Sequence, residues 1–138
     1  MAQDIKRTTV RWVGEERFEG GEATGATVTI DGKNRAGPSP VVYLLLAVAG
    51  CTGADVAAIL KKMRVALDAF SIDTVGTRCE TEPKRYLALH LVYHLRGDGL
   101  DEAKARRAID LSIEKYCSVI HSLASDIRVT YELDLATA

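Results

Sequence analysis

The apolar and polar positions divide the chain into short strands, one long apolar helix, two longer strands, a second helix and a closing strand. Thr9-Val10-Arg11-Trp12-Val13 and Thr27-Val28-Thr29-Ile30 carry the β-branched and aromatic residues of strands, and Gly14, Gly20-Gly21, Gly25 and Asp31-Gly32 predict turns. Ser39 then suits an N-cap and Pro40 the first helical position, where a missing N–H costs nothing. No residue between positions 41 and 54 is charged, and the apolar pattern runs on past Asp55 to Leu60. Lys61, Lys62 and Arg64 match the negative end of the helix dipole. Strands are expected over 69–80 and 86–96, with Thr81-Glu82-Pro83-Lys84 as the turn between them. In the second strand Leu87, Leu89, Leu91, Tyr93 and Leu95 fall on one face. Asp101 is expected to cap a helix whose inward positions are Ala105, Ala108, Ile109, Ser112, Ile113 and Tyr116. Cys117 falls at or just past its end, residues 118–125 suit a further short helix, and Ile127, Val129, Tyr131, Leu133 and Leu135 share one face of a closing strand.

The long apolar helix sets the first question. A membrane span needs roughly 20 apolar residues, and Asp55 with the Lys61-Lys62 pair cuts this one short. A helix apolar on every side is one buried on every side. A chain of 138 residues makes one domain, over 1–138, and cannot surround such a helix alone. A second copy of the chain is therefore expected to cover part of it. The small residues Ala47, Gly50, Ala54 and Ala57 would let two such helices approach closely.

Composition narrows the class. With 47% hydrophobic and 27% charged residues the chain has the profile of a soluble globular protein. A net charge of -1, with basic residues scattered apart from Lys61-Lys62-Met63-Arg64, argues against nucleic-acid or anionic-membrane partners. The first twenty residues lack the pattern of a secretory signal, so a cytoplasmic address is expected. Three cysteines in that compartment point to reactive or buried thiols rather than a disulfide-stapled fold.

Cys51 lies mid-helix between Gly50 and Gly53. Each helical glycine costs about 1 kcal/mol against alanine, so both need a reason: close helix contact, room for a substrate at the sulfur, or both. Asp55, one turn on, would raise the thiol pKa if unpaired. Cys117 sits at a junction between helical segments, where a following helix N-terminus would favour the thiolate, although a plain core cysteine suits the position as well. Cys79 has no partner signal and reads as incidental. His90 and His94 would share a helix face, but the alternation around them says strand. Four residues then span about 13 Å, too far for one ion. His121, four residues after Cys117, could form a Cys–His pair or half a metal site, with no further ligand clustered nearby.

Gly37-Pro38-Ser39-Pro40, a Leu/Ala-rich helix and Gly50-Cys51-Thr52, taken with Glu114-Lys115-Tyr116-Cys117-Ser118-Val119, resemble the two cysteine segments of the OsmC/Ohr family. The resemblance covers roughly residues 8–135. It implies an α+β, OsmC-like fold of antiparallel sheets wrapped around a long buried central helix, in an intertwined homodimer with active sites at the subunit interface. It implies a thiol-dependent peroxidase for organic hydroperoxides or hydrogen peroxide, with Cys51 peroxidatic and Cys117 resolving. An external dithiol would reduce the resulting disulfide, and neither a cofactor nor a metal is expected. Arg17 or Arg35 would stabilise the thiolate and the peroxide. Family members active on organic hydroperoxides usually carry a glutamate just after the proline that opens the central helix; this chain has Val41 and Val42 there. That departure favours an alternative, a non-catalytic small-molecule binding protein on the same fold. A thiol hydrolase using Cys117 with His121 is a further alternative.

Overall fold

The computed structural model describes residues 3–136. The elements run β1 (Thr9–Gly14), β2 (Arg17–Gly21), β3 (Thr27–Asp31), α1 (Pro40–Lys62), β4 (Ala66–Arg78), β5 (Tyr86–Asp98), α2 (Glu102–Leu111), a π-helical turn (Ser112–Tyr116), α3 (Ser118–His121) and β6 (Arg128–Leu135). They form two compact units, one up to Leu44 and the other from Leu45 onward, with α1 running through the division.

The first unit is an antiparallel meander in the order β1-β2-β3. Gly14 and Glu15 turn β1 into β2 with positive φ angles of 124° and 51°, a region glycine enters without steric cost. The Trp12 indole closes that turn by donating to the Glu15 carbonyl at 2.7 Å. Gly20-Gly21 is not a turn. Both lie in β2 opposite Val10 and Thr9, and a Cβ on Gly20 would come within 2.6 Å of Val10 Cγ1. These glycines serve close approach of two strands, which sequence punctuation cannot distinguish from a bend. Tyr43, in the first turns of α1, donates its hydroxyl to the Thr29 carbonyl at 2.6 Å.

α1 begins at Pro40 as its N-terminal signals predict. By length and composition it could cross a membrane. Its buried residues, Val48, Thr52, Val56 and Leu60, recur every four positions and form one narrow stripe, so a single chain covers one face of the helix and not every side. Leu46, Ala47, Gly50, Ala54 and Ala57 are exposed, and a Cβ added to Gly50 would meet nothing within 4 Å.

In the second unit β4 and β5 pair antiparallel over thirteen-residue strands. β6 runs parallel to β5, so this sheet is mixed rather than wholly antiparallel. A parallel neighbour requires a crossover, and α2, the π-helical turn and α3 supply it. The period-two reading of β5 holds in detail: Leu89, Leu91, Tyr93 and Leu95 are buried, while Leu87 at the strand's start is exposed. Asp101 caps α2 by accepting the Lys104 N–H at 2.8 Å. Ala105, Ala108, Ile109 and Ser112 face inward, but Tyr116 is half exposed. The π-helical turn explains the difference. The Cys117 N–H reaches the Ser112 carbonyl five residues back at 2.7 Å, and the extra residue in the turn shifts the helical phase so that Cys117 turns inward in place of Tyr116.

The opposite face of this sheet carries the histidines, each with its own partners. His90 Nδ1 pairs with Thr130 at 2.8 Å, while His94 bridges Asp134 at 2.7 Å and Asp73 at 2.8 Å. Hydrogen bonds that His94 donates to the carboxylates of Asp134 and then Asp73 raise its pKa above the ordinary 6.5. A raised folded-state value means that this pairing stabilises fully below about pH 6.5 and is lost as pH rises through the folded value. Denaturant midpoints of the wild type should therefore fall relative to those of His94→Gln as pH rises above about 6.5. Parallel pH profiles for the two proteins would contradict this.

Candidate functional site

The site lies in the second unit, where α1 meets β5 and the π-helical turn. Thr52, one residue beyond Cys51, is fully buried, as are Tyr93 on β5 and Ser112 at the start of the π-helical turn. Tyr93 Oη lies 2.8 Å from Thr52 Oγ1, Thr52 Oγ1 lies 2.8 Å from Ser112 Oγ, and Ser112 Oγ lies 2.9 Å from Asp55 Oδ2. Each hydroxyl has one proton, and an ionised carboxylate only accepts. With Asp55 ionised, Ser112 donates to it, Thr52 donates to Ser112, and Tyr93 donates to Thr52. Burial pushes the Tyr93 phenol up to about 12, which suits its place as the first donor.

This chain of hydroxyls positions both cysteines. It fixes the α1 turn that carries Cys51 and Asp55 against the π-helical turn that delivers Cys117. Cys51 is half-buried and Cys117 fully buried. The two sulfurs and an Asp55 carboxylate oxygen all lie within 4.8 Å of one another. Cys117 has extended backbone angles (φ −71°, ψ 99°) and caps α3. Burial pushes the Cys117 thiol up to about 11; a hydrogen bond from the Ile120 N–H opposes this, while the thiol's hydrogen bond to Cys51 and the Asp55 charge add to it. Cys117 is therefore held as a neutral thiol near pH 7, and its position at the start of a helix does not make it a thiolate.

The other sequence candidates fall elsewhere. Cys79 is half-buried near the β4–β5 turn, 3.5 Å from the Thr81 hydroxyl. His121 Nε2 donates to the Ile113 carbonyl at 3.0 Å, so its observed partner is backbone and not the Cys117 thiol. In the first unit, Arg35 is exposed in the segment before α1, whereas Arg17 is half-buried on β2 opposite Asp31. The buried Arg17 Nε has no hydrogen-bond partner among the described residues. Asp31 is itself buried, and N–H groups of Ala36 and then Lys33 hold its carboxylate below the ordinary range, with the Arg17 charge contributing.

Residue chemistry singles out Cys51, Cys117 and Asp55, and the family resemblance Arg17 or Arg35, but neither points to Thr52, Tyr93, Asp31 or the polar role of Ser112. Ser112 and Tyr93 were legible only as inward positions of their elements. A hydroxyl at an inward helical position was the available signal, because a buried polar group requires a partner.

Residues 31–132 match the OsmC-like protein family, and the chain belongs to that family. Protein YhfA of Escherichia coli (strain K12) is 33% identical over 130 residues, covering 94% of this chain and 97% of YhfA. A crystal structure of a hypothetical protein from Aquifex aeolicus VF5 superposes with a TM-score of 0.84 at 28% identity, covering 98% of this chain and all of that one. An organic hydroperoxide resistance protein OsmC from Legionella pneumophila shares the fold, with a TM-score of 0.67 at 14% identity over 96% of this chain and 99% of that one.

Thr52→Val keeps the side-chain shape and removes the hydroxyl that links Tyr93 to Ser112. It should cost about 1–3 kcal/mol, because two buried hydroxyls lose a partner. Denaturant unfolding measures this, and a loss below about 0.5 kcal/mol would show that the hydroxyl chain does not hold the site.

Proposed function

We propose that this OsmC-like protein is a cytoplasmic, homodimeric thiol peroxidase that reduces organic hydroperoxides or hydrogen peroxide, with Cys51 peroxidatic and Cys117 resolving. The observation that carries this reading is the approach of the two sulfurs to within 4.8 Å, with Cys117 buried. The Cys51 thiolate attacks the terminal peroxide oxygen. The O–O bond breaks, an alcohol or water leaves with a proton, and Cys51 is oxidised to a sulfenic acid. The Cys117 sulfur then attacks the Cys51 sulfur. The S–O bond breaks, the thiol proton departs with the hydroxyl as water, and a disulfide forms. Its S–S length of about 2.05 Å requires the sulfurs, now within 4.8 Å of each other, to close by at most about 2.8 Å. An external dithiol restores both thiols by exchange.

Arg17 is the arginine assigned to thiolate and peroxide stabilisation. Its buried Nε has no hydrogen-bond partner among the described residues and Asp31 lies opposite it, whereas Arg35 is exposed. Asp31 would do the orienting that a glutamate at Val41 or Val42 would otherwise do. The dimer is supported by the exposed stripe of Leu46, Ala47, Gly50, Ala54 and Ala57 on an otherwise apolar helix. Light scattering at low micromolar concentration should give twice the chain mass, and a well-folded monomer contradicts the dimer.

A second reading, a binding protein for an apolar small molecule, is favoured by an open, mostly apolar groove of about 380 Å³ lined by Leu46, Ala49, Gly50, Gly53, Phe70, Ser71 and Ile72, along the helix that carries Cys51. A peroxide-consumption assay with a dithiol donor separates the two. Turnover is expected, absent in Cys51→Ser, at least about tenfold slower in Arg17→Ala and within about twofold of wild type in Arg35→Ala. No turnover with any donor, together with ligand binding unchanged in Cys51→Ser, would favour the binding protein.

A further inference from the structure

The cysteine pair shares its space with a carboxylate, and redox chemistry between two thiols does not require one. Cys51 Sγ, Cys117 Sγ and an Asp55 oxygen form a triangle with no edge longer than 4.8 Å. We propose that, when both cysteines are reduced, these three side chains bind one Zn²⁺ ion per chain, as two thiolates and a carboxylate with water at the fourth position.

The dimensions fit. Zinc bonds of about 2.3 Å to sulfur and about 2.0–2.2 Å to oxygen give ligand–ligand edges of about 3.5–3.8 Å in a tetrahedral site. The three atoms reach that spacing by moving an ångström or so each, within the range of side-chain rotation. Two sulfurs and one oxygen select a borderline-soft cation of the zinc class over calcium or magnesium, which take oxygen ligands only. The outer partners are also in place. Ser112 donates to Asp55 Oδ2 at 2.9 Å, in the way that outer hydrogen bonds orient metal-binding carboxylates. The Ile120 N–H bonds the Cys117 sulfur.

Charge supports the same assignment. Three groups that are anionic when ionised crowd a site in which one is fully buried and the other two are half-buried. A divalent cation offsets that crowding, and binding releases the thiol protons with no change of oxidation state. Zinc and oxidant then compete for the same two sulfurs: the disulfide cannot ligate, and the ligated thiolates cannot form it without releasing the ion. The binding stands on ligand geometry and charge; only the competition with turnover rests on the peroxidase reading.

Co²⁺ titration of the reduced, full-length protein tests the site directly. A thiolate-to-cobalt charge-transfer band and tetrahedral visible bands should appear, saturate at one ion per chain and vanish on adding Zn²⁺. Cys51→Ser, Cys117→Ser and the disulfide form should lose the charge-transfer intensity of a two-thiolate site, whereas Cys79→Ser should keep it. Asp55→Ala should weaken Zn²⁺ binding at least about tenfold, and Asp55→Asn, which keeps the side-chain shape, should also weaken it. Absence of the band, wild-type affinity in both Asp55 variants, or loss of the band in Cys79→Ser overturns the proposal. These readouts need no turnover. A protein that binds cobalt in this way yet reduces no peroxide upholds the metal site and contradicts the peroxidase reading.

Discussion

Tyr93, Thr52 and Ser112 have no exposure to water, and among the described residues their hydroxyls bond one another and Asp55. A half-satisfied buried network costs more than an apolar core, so such groups tolerate one arrangement and resist others. That constraint ties together three elements far apart in sequence: the middle of α1, the centre of β5 and the π-helical turn. Cys51 and Asp55 flank Thr52 on the helix, and Cys117 follows Ser112 by five residues, so fixing the hydroxyls also fixes the sulfurs. The geometry of the cysteine pair is a consequence of polar satisfaction beneath it rather than of contact between the sulfurs alone.

The environment distinguishes the two thiols. Cys117 is fully buried, and burial keeps its thiol protonated, which under the proposed peroxidase reading shields it from direct oxidation. Cys51 lies half-buried between two glycines. A Cβ on Gly50 would meet nothing, and one on Gly53 would approach Ile72 Cδ1 at 3.3 Å. The two glycines, which look alike in sequence, thus do different work: Gly53 lets α1 approach β4, and Gly50 leaves the exposed side of the helix open.

Much of the fold was legible because local rules govern it. Pro40 opens α1, Asp101 caps α2, and alternation in β5 identifies its buried face, each through interactions within a few residues. The parts that escaped depend on distant partners. Gly20-Gly21 looks like a turn until Val10 lies against it, and β6 reveals its parallel direction only once paired with β5. The π-helical turn, which sends Tyr116 outward and Cys117 inward, has no signature in the spacing of apolar residues. In the site, the cysteines were legible by chemistry and family resemblance. Ser112 was read by its position and not by its hydroxyl; Asp31 does open the expected turn, but its burial opposite Arg17 has no local signature.

Peptide mapping under non-reducing conditions, after a single equivalent of an organic hydroperoxide, tests the central claim most directly. One bridge is expected, Cys51 to Cys117 within the same chain, with Cys79 recovered as a free thiol. A dominant bridge involving Cys79, or Cys51 oxidised to the sulfinic acid while Cys117 remains a free thiol, would contradict it.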